Sequence, residues 1–93
     1  MRFMLKCTWK QQPTEEILAL MPAEHRRGME LSEQGISEAA YQAADQSVDW
    51  EAWAAWAVWN CDSEDALYEV VKTLPMHAFF NYDVTLLAEP YVP

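Results

Sequence analysis

The sequence predicts an α+β fold in which two helical regions alternate with four strands. Residues 2–10 and residues 81–87 alternate between apolar and polar side chains, a period of two that is typical of half-buried strands. Residues 62–74 repeat apolar side chains every three or four positions, which is the period of an amphipathic helix. Because the chain has 93 residues, we expect a single domain over residues 1–93.

The amino-terminal third predicts a strand followed by an interrupted helix. One face of the strand over residues 2–10 would carry Phe3, Leu5, Cys7 and Trp9. Thr14 is expected to cap a helix whose first turn holds two glutamates. Pro22 does not fit a straight helix interior, so the helix should break there and resume through Glu33. Gly35 is expected to end this helix.

The middle of the chain predicts two strands joined by a hairpin. A weaker strand covers residues 36–44, with Ala39, Tyr41 and Ala43 on one face. The polar residues 45–49 are expected to form the hairpin loop.

Four tryptophans follow at a spacing of three. They are Trp50, Trp53, Trp56 and Trp59. A helix is one interpretation, since residues three apart share a helix face. A strand over residues 53–60 is favoured because a step of three drifts around a helix of period 3.6, and because helix-start residues appear only after the run. A strand would place Trp56 opposite Trp53 and Trp59.

The last third predicts a capped helix and a strand. Asp62 or Ser63 is expected to cap the helix, and Pro75 prevents its continuation. Its apolar face would consist of Ala66, Leu67, Val70, Val71 and Leu74. The apolar face of the final strand would consist of Tyr82, Val84 and Leu86.

The resulting order, strand-helix-strand-strand-helix-strand, is that of the ferredoxin-like βαββαβ fold. Its helices cover one face of the sheet and leave the other bare. Since both faces of these strands are partly apolar, we expect two sheets to pack face to face in a dimeric α/β barrel. The tail over residues 88–93 is expected to cross to the partner subunit.

Composition and charge indicate which partners, which location and which kinds of site the chain is expected to have. Apolar residues make up 52% of the chain, which favours a homodimer or a higher homo-oligomer. Fifteen acidic against six basic residues give a net charge of −9, which argues against nucleic-acid and anionic-membrane partners. No secretion signal or apolar membrane span is recognised, so a cytoplasmic location is expected. Cys7 and Cys61 have no metal-ligand spacing, and no metal is predicted.

Three segments carry a resemblance to a known family. They read D-S-E-D-A-L-Y-E at 62–69, L-P-M-H-A-F-F-N-Y-D-V-T-L-L at 74–87 and E-L-S-E-Q-G at 30–35. The chain resembles the muconolactone isomerase family, whose members end in a similar D-S-x-D-x-L-x-E helix, proline turn and x-x-V-T-P-L strand. The resemblance implies a small oligomeric enzyme that shifts a double bond in an unsaturated lactone by proton transfer, without a metal or cofactor.

The chain also departs from that family at two places. It has Glu24-His25 where the isomerases carry a Glu-Lys pair. It has S-E-A-A-Y-Q at residues 37–42 where they show a cluster of Trp, His and Arg. The loss of a cation there argues against recognition of a lactone that bears a carboxylate, and indicates a different or lost substrate.

Five residues are the candidates for acid–base chemistry. His25 and Glu24 are the first pair, because a cofactor-free proton shuttle needs a group that titrates near neutrality. The alternative is a solvated helix turn. His77 precedes the last strand at the mouth of the expected barrel, although an ordinary loop or interface histidine would look the same. Asp83 or Glu38 would serve as a base if burial raised its pKa.

Aromatic side chains are the candidates for binding. A site for a flat apolar ligand needs aromatic walls with few polar groups, and the proposed walls are Tyr41, Trp56, Tyr82 and Phe79. For the tryptophans, the alternative is a place in the core or the dimer interface.

The sequence thus supports two functions. The first is a cofactor-independent enzyme, with isomerase, cyclase or oxygenase-like chemistry on a hydrophobic oxygenated small molecule. The second is a non-catalytic dimeric barrel that binds a small ligand or a partner protein.

Overall fold

The computed structural model describes residues 1–88 and contains a four-stranded antiparallel sheet. The strands are β1 (Arg2–Trp9), β2 (Ser37–Gln42), β3 (Ala55–Asn60) and β4 (Phe80–Leu86). Their order across the sheet is β2-β3-β1-β4. The helices are α1 (Glu15–Leu18), α2 (Met21–Glu33) and α3 (Glu64–Val71), and a 3₁₀ turn (His77–Phe79) precedes β4. This arrangement confirms the predicted α+β, ferredoxin-like fold. The tail predicted at 88–93 lies, apart from its first residue, outside the described residues.

The main core lies between the sheet and the helices. Its buried members are Phe3, Leu5, Leu31, Trp59, Leu67, Val71 and Leu74. Leu31 and Leu67 are 0% exposed, so α2 and α3 both bury an apolar side chain against the same face of the sheet. Full burial of each such side chain stabilises the fold by about 1.5–3 kcal/mol. The face predicted for the last helix is confirmed by the burial of Leu67 and Val71.

A second, aromatic core closes one end of the sheet. The ring centroid of Trp9 lies 4.3 Å from that of Phe80 and 5.4 Å from that of Trp53. Ile17 from α1 and Met76 pack against the same cluster. Trp53 therefore belongs to the core although it precedes β3.

The loop between β2 and β3 is longer than predicted, because each strand stops two residues short at its loop end. The Asp49 carbonyl accepts hydrogen bonds from the amides of Ala52 and Trp53, at 2.9 and 3.2 Å. This turn bends the chain so that Trp53 can reach Trp9. The Ala43 amide still donates a hydrogen bond to the Ala54 carbonyl at 3.0 Å, so Trp53 lies just beyond the last paired residue.

The predicted starts of the first and last helices are confirmed by their caps, whereas α3 ends at Val71, four residues before Pro75. The Thr14 Oγ1 atom accepts a hydrogen bond from the Ile17 amide at 3.2 Å. Of the two predicted caps for α3, it is Ser63 whose hydroxyl accepts from the Ala66 amide, at 3.0 Å. Pro22 occupies the first turn of α2, where the missing N–H costs nothing.

The second face of the sheet carries no helix from residues 1–88. We call it the open face. In the strand register, Tyr41 pairs with Trp56, and Met4 pairs with Val58. Tyr41 is 67% exposed and Trp56 is 37% exposed. Trp56 and Trp59 lie on opposite faces, as the strand interpretation predicted. No helix among residues 1–88 is both long and apolar enough to cross a membrane.

The chain's two glycines should respond to alanine with opposite signs. Gly28 lies inside α2, and a Cβ built there would meet no atom within 4 Å. Gly28→Ala should therefore raise the free energy of unfolding by about 0.5–1 kcal/mol, since alanine favours the helix. Gly35 has a φ of +77°, which alanine adopts only with strain. Gly35→Ala should therefore lower the free energy of unfolding by about 1–2 kcal/mol. Urea titrations of the two variants would contradict this account if both shifts had the same sign.

Candidate functional site

A cavity of about 610 Å³ lies between α2 and the helix-bearing face of the sheet. Its size is typical of small-ligand sites. It exists because small residues meet there. Ala40, Ala55 and Ala57 form part of its floor, and Gly28 lies on the α2 side. No side chain from these four positions is large enough to fill the space.

One row of cross-strand neighbours crosses this floor. Gln42 pairs with Ala55, Ala55 pairs with Cys7, and Cys7 pairs with Tyr82. Paired residues lie on the same face of a sheet, so the row places an amide, a thiol and a phenol along the cavity. All four residues line it.

Glu24 brings a carboxylate from α2 to the same cavity. The side chain is half-buried, and its Oε1 atom accepts a hydrogen bond from the Met76 amide at 2.8 Å. Burial raises the pKa of Glu24, while the Met76 hydrogen bond and the nearby His25 and His77 rings act in the opposite direction. The net direction is upward, so desolvation is the dominant effect. A carboxylate in this state accepts a proton more readily than an exposed one.

The thiol and the phenol of the floor stay protonated near neutral pH. Burial, and then the charge of Glu24, raise the pKa of Cys7 to about 12. Burial also raises the pKa of Tyr82 above its ordinary value, with smaller contributions from Cys7 and Glu24. Cys7 is therefore a poor nucleophile, whereas Tyr82 remains a hydrogen-bond donor.

The structure separates the residues predicted as site residues into two groups. Glu24, His25 and Tyr82 line the cavity, although the His25 side chain is exposed. Tyr41 and Trp56 border it from β2 and β3, but strand alternation directs their rings to the open face. They therefore do not face Tyr82.

The remaining predicted residues lie near the outer edge strand, β4. His77 and Asp83 line a shallower groove there. The His77 ring donates from Nδ1 to the Leu74 carbonyl at 3.0 Å, which orients it. Asp83 is exposed and lies opposite Lys6 on the open face. Phe79 packs against the aromatic core. None of these three residues lines the cavity, although Tyr82 borders both the cavity and the groove.

Glu38, the other carboxylate considered as a base, lies in a different environment. Its carboxylate contacts the Arg2 guanidinium at 2.8 Å. Hydrogen bonds from Arg2 and from Asn60 hold the pKa of Glu38 below its ordinary value. A carboxylate stabilised in this way is a weaker base than Glu24.

Sequence reasoning missed the residues that make the cavity. Cys7 was interpreted only as a small apolar residue of a strand, and the alanines and Gly28 were not singled out. Two signals were present. Alanines at positions 55 and 57 alternate between large tryptophans, and a glycine interrupts an otherwise good helix. Within residues 1–88, no group of three or more His, Cys, Asp and Glu side chains is placed to hold a metal ion.

The chain matches a known protein family. The family model described as muconolactone delta-isomerase matches residues 1–91. The chain belongs to that family. A comparison with curated protein sequences finds no significant match.

Two solved structures share the fold. A crystal structure of muconolactone isomerase superposes with a TM-score of 0.77 at 21% identity, covering 97% of this chain and 91% of that chain. A 5-chloro-2-hydroxyhydroquinone dehydrochlorinase from Burkholderia phenoliruptrix, in complex with 2,5-dihydroxybenzoquinone, superposes with a TM-score of 0.64 at 11% identity. It covers 97% of this chain and 96% of that chain.

The raised pKa of Glu24 predicts a pH-dependent stability. A carboxyl whose pKa is higher in the folded state favours folding when protonated, and this contribution is lost as the pH rises through the folded-state pKa. Glu24→Gln, which keeps an acceptor for the Met76 amide, should therefore gain stability relative to the unchanged protein as the pH rises from about 4 to about 8.

Thermal unfolding across that pH range would measure this effect. Glu33→Gln is the matched control, because Glu33 is an exposed residue at the end of α2. The difference in melting temperature between Glu33→Gln and the unchanged protein should vary less with pH. A loss of stability of Glu24→Gln relative to the unchanged protein as the pH rises would contradict the assigned direction.

Proposed function

We propose that the chain is a cofactor-independent enzyme that moves a proton within a hydrophobic, oxygenated small molecule, and that Glu24 is the base. The observation that carries the proposal is the position of the Glu24 carboxylate. It is half-buried at an apolar cavity, is held by the Met76 amide at 2.8 Å, and has a raised pKa. A general base works best when its pKa is near the operating pH.

The reaction we propose is the shift of a double bond in an unsaturated five-membered lactone. Glu24 removes the proton from the ring carbon that bears the ring oxygen. The electron pair of that C–H bond moves through the adjacent double bond to the carbonyl, forming a dienolate. The proton then returns to the carbon next to the carbonyl, and the double bond ends one position along the ring. Atoms and charge balance without an oxidant or a cofactor.

Two neighbours of Glu24 have supporting roles in this proposal. Tyr82 keeps its proton because burial raises its pKa, so it can donate a hydrogen bond to the dienolate oxygen. His25 lines the cavity with an exposed side chain, where it can exchange protons with water. His77 does not line the cavity, but its electrostatic interaction with Glu24 lowers the pKa of that carboxyl.

The first relative named above supports this reaction class, since muconolactone isomerase gives the family its name. The second is a dehydrochlorinase with a dihydroxybenzoquinone bound. Both names describe small oxygenated substrates. An unsaturated lactone or a related oxygenated ring is accordingly the substrate class that we propose.

Removal of the base should abolish turnover with little loss of structure. Glu24→Gln should lower kcat by about 10²–10⁴, the usual contribution of a general base. The assay follows the ultraviolet absorbance of an unsaturated γ-lactone, such as muconolactone or its methyl ester. Glu33→Gln should retain the native rate. A Glu24→Gln variant that turns over either lactone at the native rate would exclude Glu24 as the base.

We also propose that two copies of the chain pack through their open faces, as in a dimeric α/β barrel. The open face exposes Trp56 and Tyr41 beside Met4 and Val58. Exposed aromatic and aliphatic groups of this kind mark interaction surfaces. Arg2 and Glu38 form an ion pair at the margin of the same face.

A charge on the open face should dissociate this assembly. Trp56→Glu should shift the sedimentation coefficient from that of an oligomer to that of a monomer of 10.8 kDa, because burial of a carboxylate in an apolar interface is costly. Tyr68→Glu is the control, since Tyr68 is similarly exposed, at 39%, but belongs to α3. Sedimentation velocity would show the same species for both variants if the open face were not the interface.

A further inference from the structure

We propose that the cavity selects a neutral substrate, an unsaturated lactone whose side arm is uncharged and apolar rather than a carboxylate. This inference rests on the proposed function, because it names the substrate class of the same site. It is carried by the distribution of charge around the cavity.

None of the described residues that line the cavity is a lysine or an arginine. The chain has six such residues, and three of them form ion pairs with glutamates. Arg2 contacts Glu38, Arg27 contacts Glu30, and Lys72 contacts Glu69, at 2.8 to 3.1 Å. Lys6 lies on the open face. Lys10 and Arg26 also lie outside the lining. A bound carboxylate would therefore meet no lysine or arginine among the described lining residues, and the Arg2 guanidinium is already engaged by the lining residue Glu38.

The charge that does line the cavity is negative. Glu24 is its half-buried carboxylate, and Cys7 and Tyr82 beside it are neutral because burial raises their pKa values. His25, the remaining group that can carry a positive charge, has an exposed side chain. A second carboxylate near Glu24 would be repelled, and it would raise the pKa of Glu24 further.

Apart from Ser32, Ser37, Glu38 and Gln42, the rest of the wall is apolar. It includes Leu5, Leu31, Trp59, Leu74 and Phe80, all of which are buried. A carboxylate placed against these side chains would lose its hydration without gaining an ion pair. An ester or alkyl arm would instead bury apolar surface there, which favours binding.

A binding comparison tests this inference separately from catalysis. The probes are a saturated γ-lactone with an acetate arm and its methyl ester, neither of which has a double bond to shift. Trp59 lines the cavity, so tryptophan fluorescence reports occupancy. We expect the ester to bind with a Kd about tenfold or more below that of the acid. Equal or tighter binding of the acid, or no binding of either, would overturn the inference.

Turnover assays with muconolactone and its methyl ester distinguish a failure of this inference from a failure of the proposed function. If the saturated ester binds and unsaturated muconolactone methyl ester is not turned over, the proposed reaction fails while the charge selectivity stands. If muconolactone itself is turned over with the higher kcat/KM, the reaction stands and the inference of a neutral substrate is overturned.

A cation introduced into the cavity should reverse the preference. Gln42 lies in the floor row beside Ala55 and lines the cavity. Gln42→Arg should shift the ratio of acid to ester affinity by about tenfold or more toward the acid, by supplying the missing ion pair. Gln12→Arg is the matched control, because Gln12 is exposed, lies outside the lining, and adds the same charge.

The control decides whether the effect is local. An equal shift in both variants would show that net charge, and not the cavity, governs selection, which would overturn the inference. Ser32→Arg places the cation on the α2 side of the cavity instead. It gives the same test independently of the folding of the Gln42 variant.

Discussion

The central strand β1 is the constraint on which the rest of the structure depends. It pairs with β3 on one side and with β4 on the other, so segments distant in the chain meet across it. Phe3 and Leu5 anchor it in the main core, and Trp9 anchors it in the aromatic core. Cys7 lies between these anchors, and its cross-strand neighbours are Ala55 and Tyr82. The register that packs the core therefore also builds the floor of the cavity, because a shift by one residue would turn every one of these side chains to the open face.

The hydrogen bond from the Met76 amide to Glu24 gives the cavity its chemistry. It joins α2 to the turn after α3, across 52 positions of the chain. Met76 is fully buried, so its amide is a fixed donor, and an unsatisfied amide there would be costly. The carboxylate is thus held at an apolar wall by a fold that needs the same interaction for its own stability. Desolvation at that wall raises the pKa of Glu24 and outweighs the opposite effect of the Met76 hydrogen bond.

The fold was predictable because its elements have strong local signals. Thr14, Pro22, Ser63 and Pro75 mark helix ends through backbone geometry and hydrogen bonding that depend on only a few neighbouring residues. Alternation in β1 and β4 marks the buried face in the same local way. The loop before β3 was misplaced for the converse reason. Trp53 leaves the strand because it packs on Trp9 and Phe80, and contacts between such distant residues leave no trace in a short window of sequence.

The sequence by itself determined the strands, the helix ends and the order βαββαβ, since each follows from the local period or from a capping or breaking residue. It also singled out Glu24 beside His25, although it favoured the imidazole as the titrating group. The tertiary structure decided which of the two is desolvated, because burial depends on what packs against α2 from elsewhere in the chain. It likewise separated Tyr82 from Tyr41 and Trp56, which lie on opposite faces of the sheet. The cavity itself is a tertiary property, since it arises where Ala55, Ala57 and Gly28 from different elements face one another and leave space unfilled.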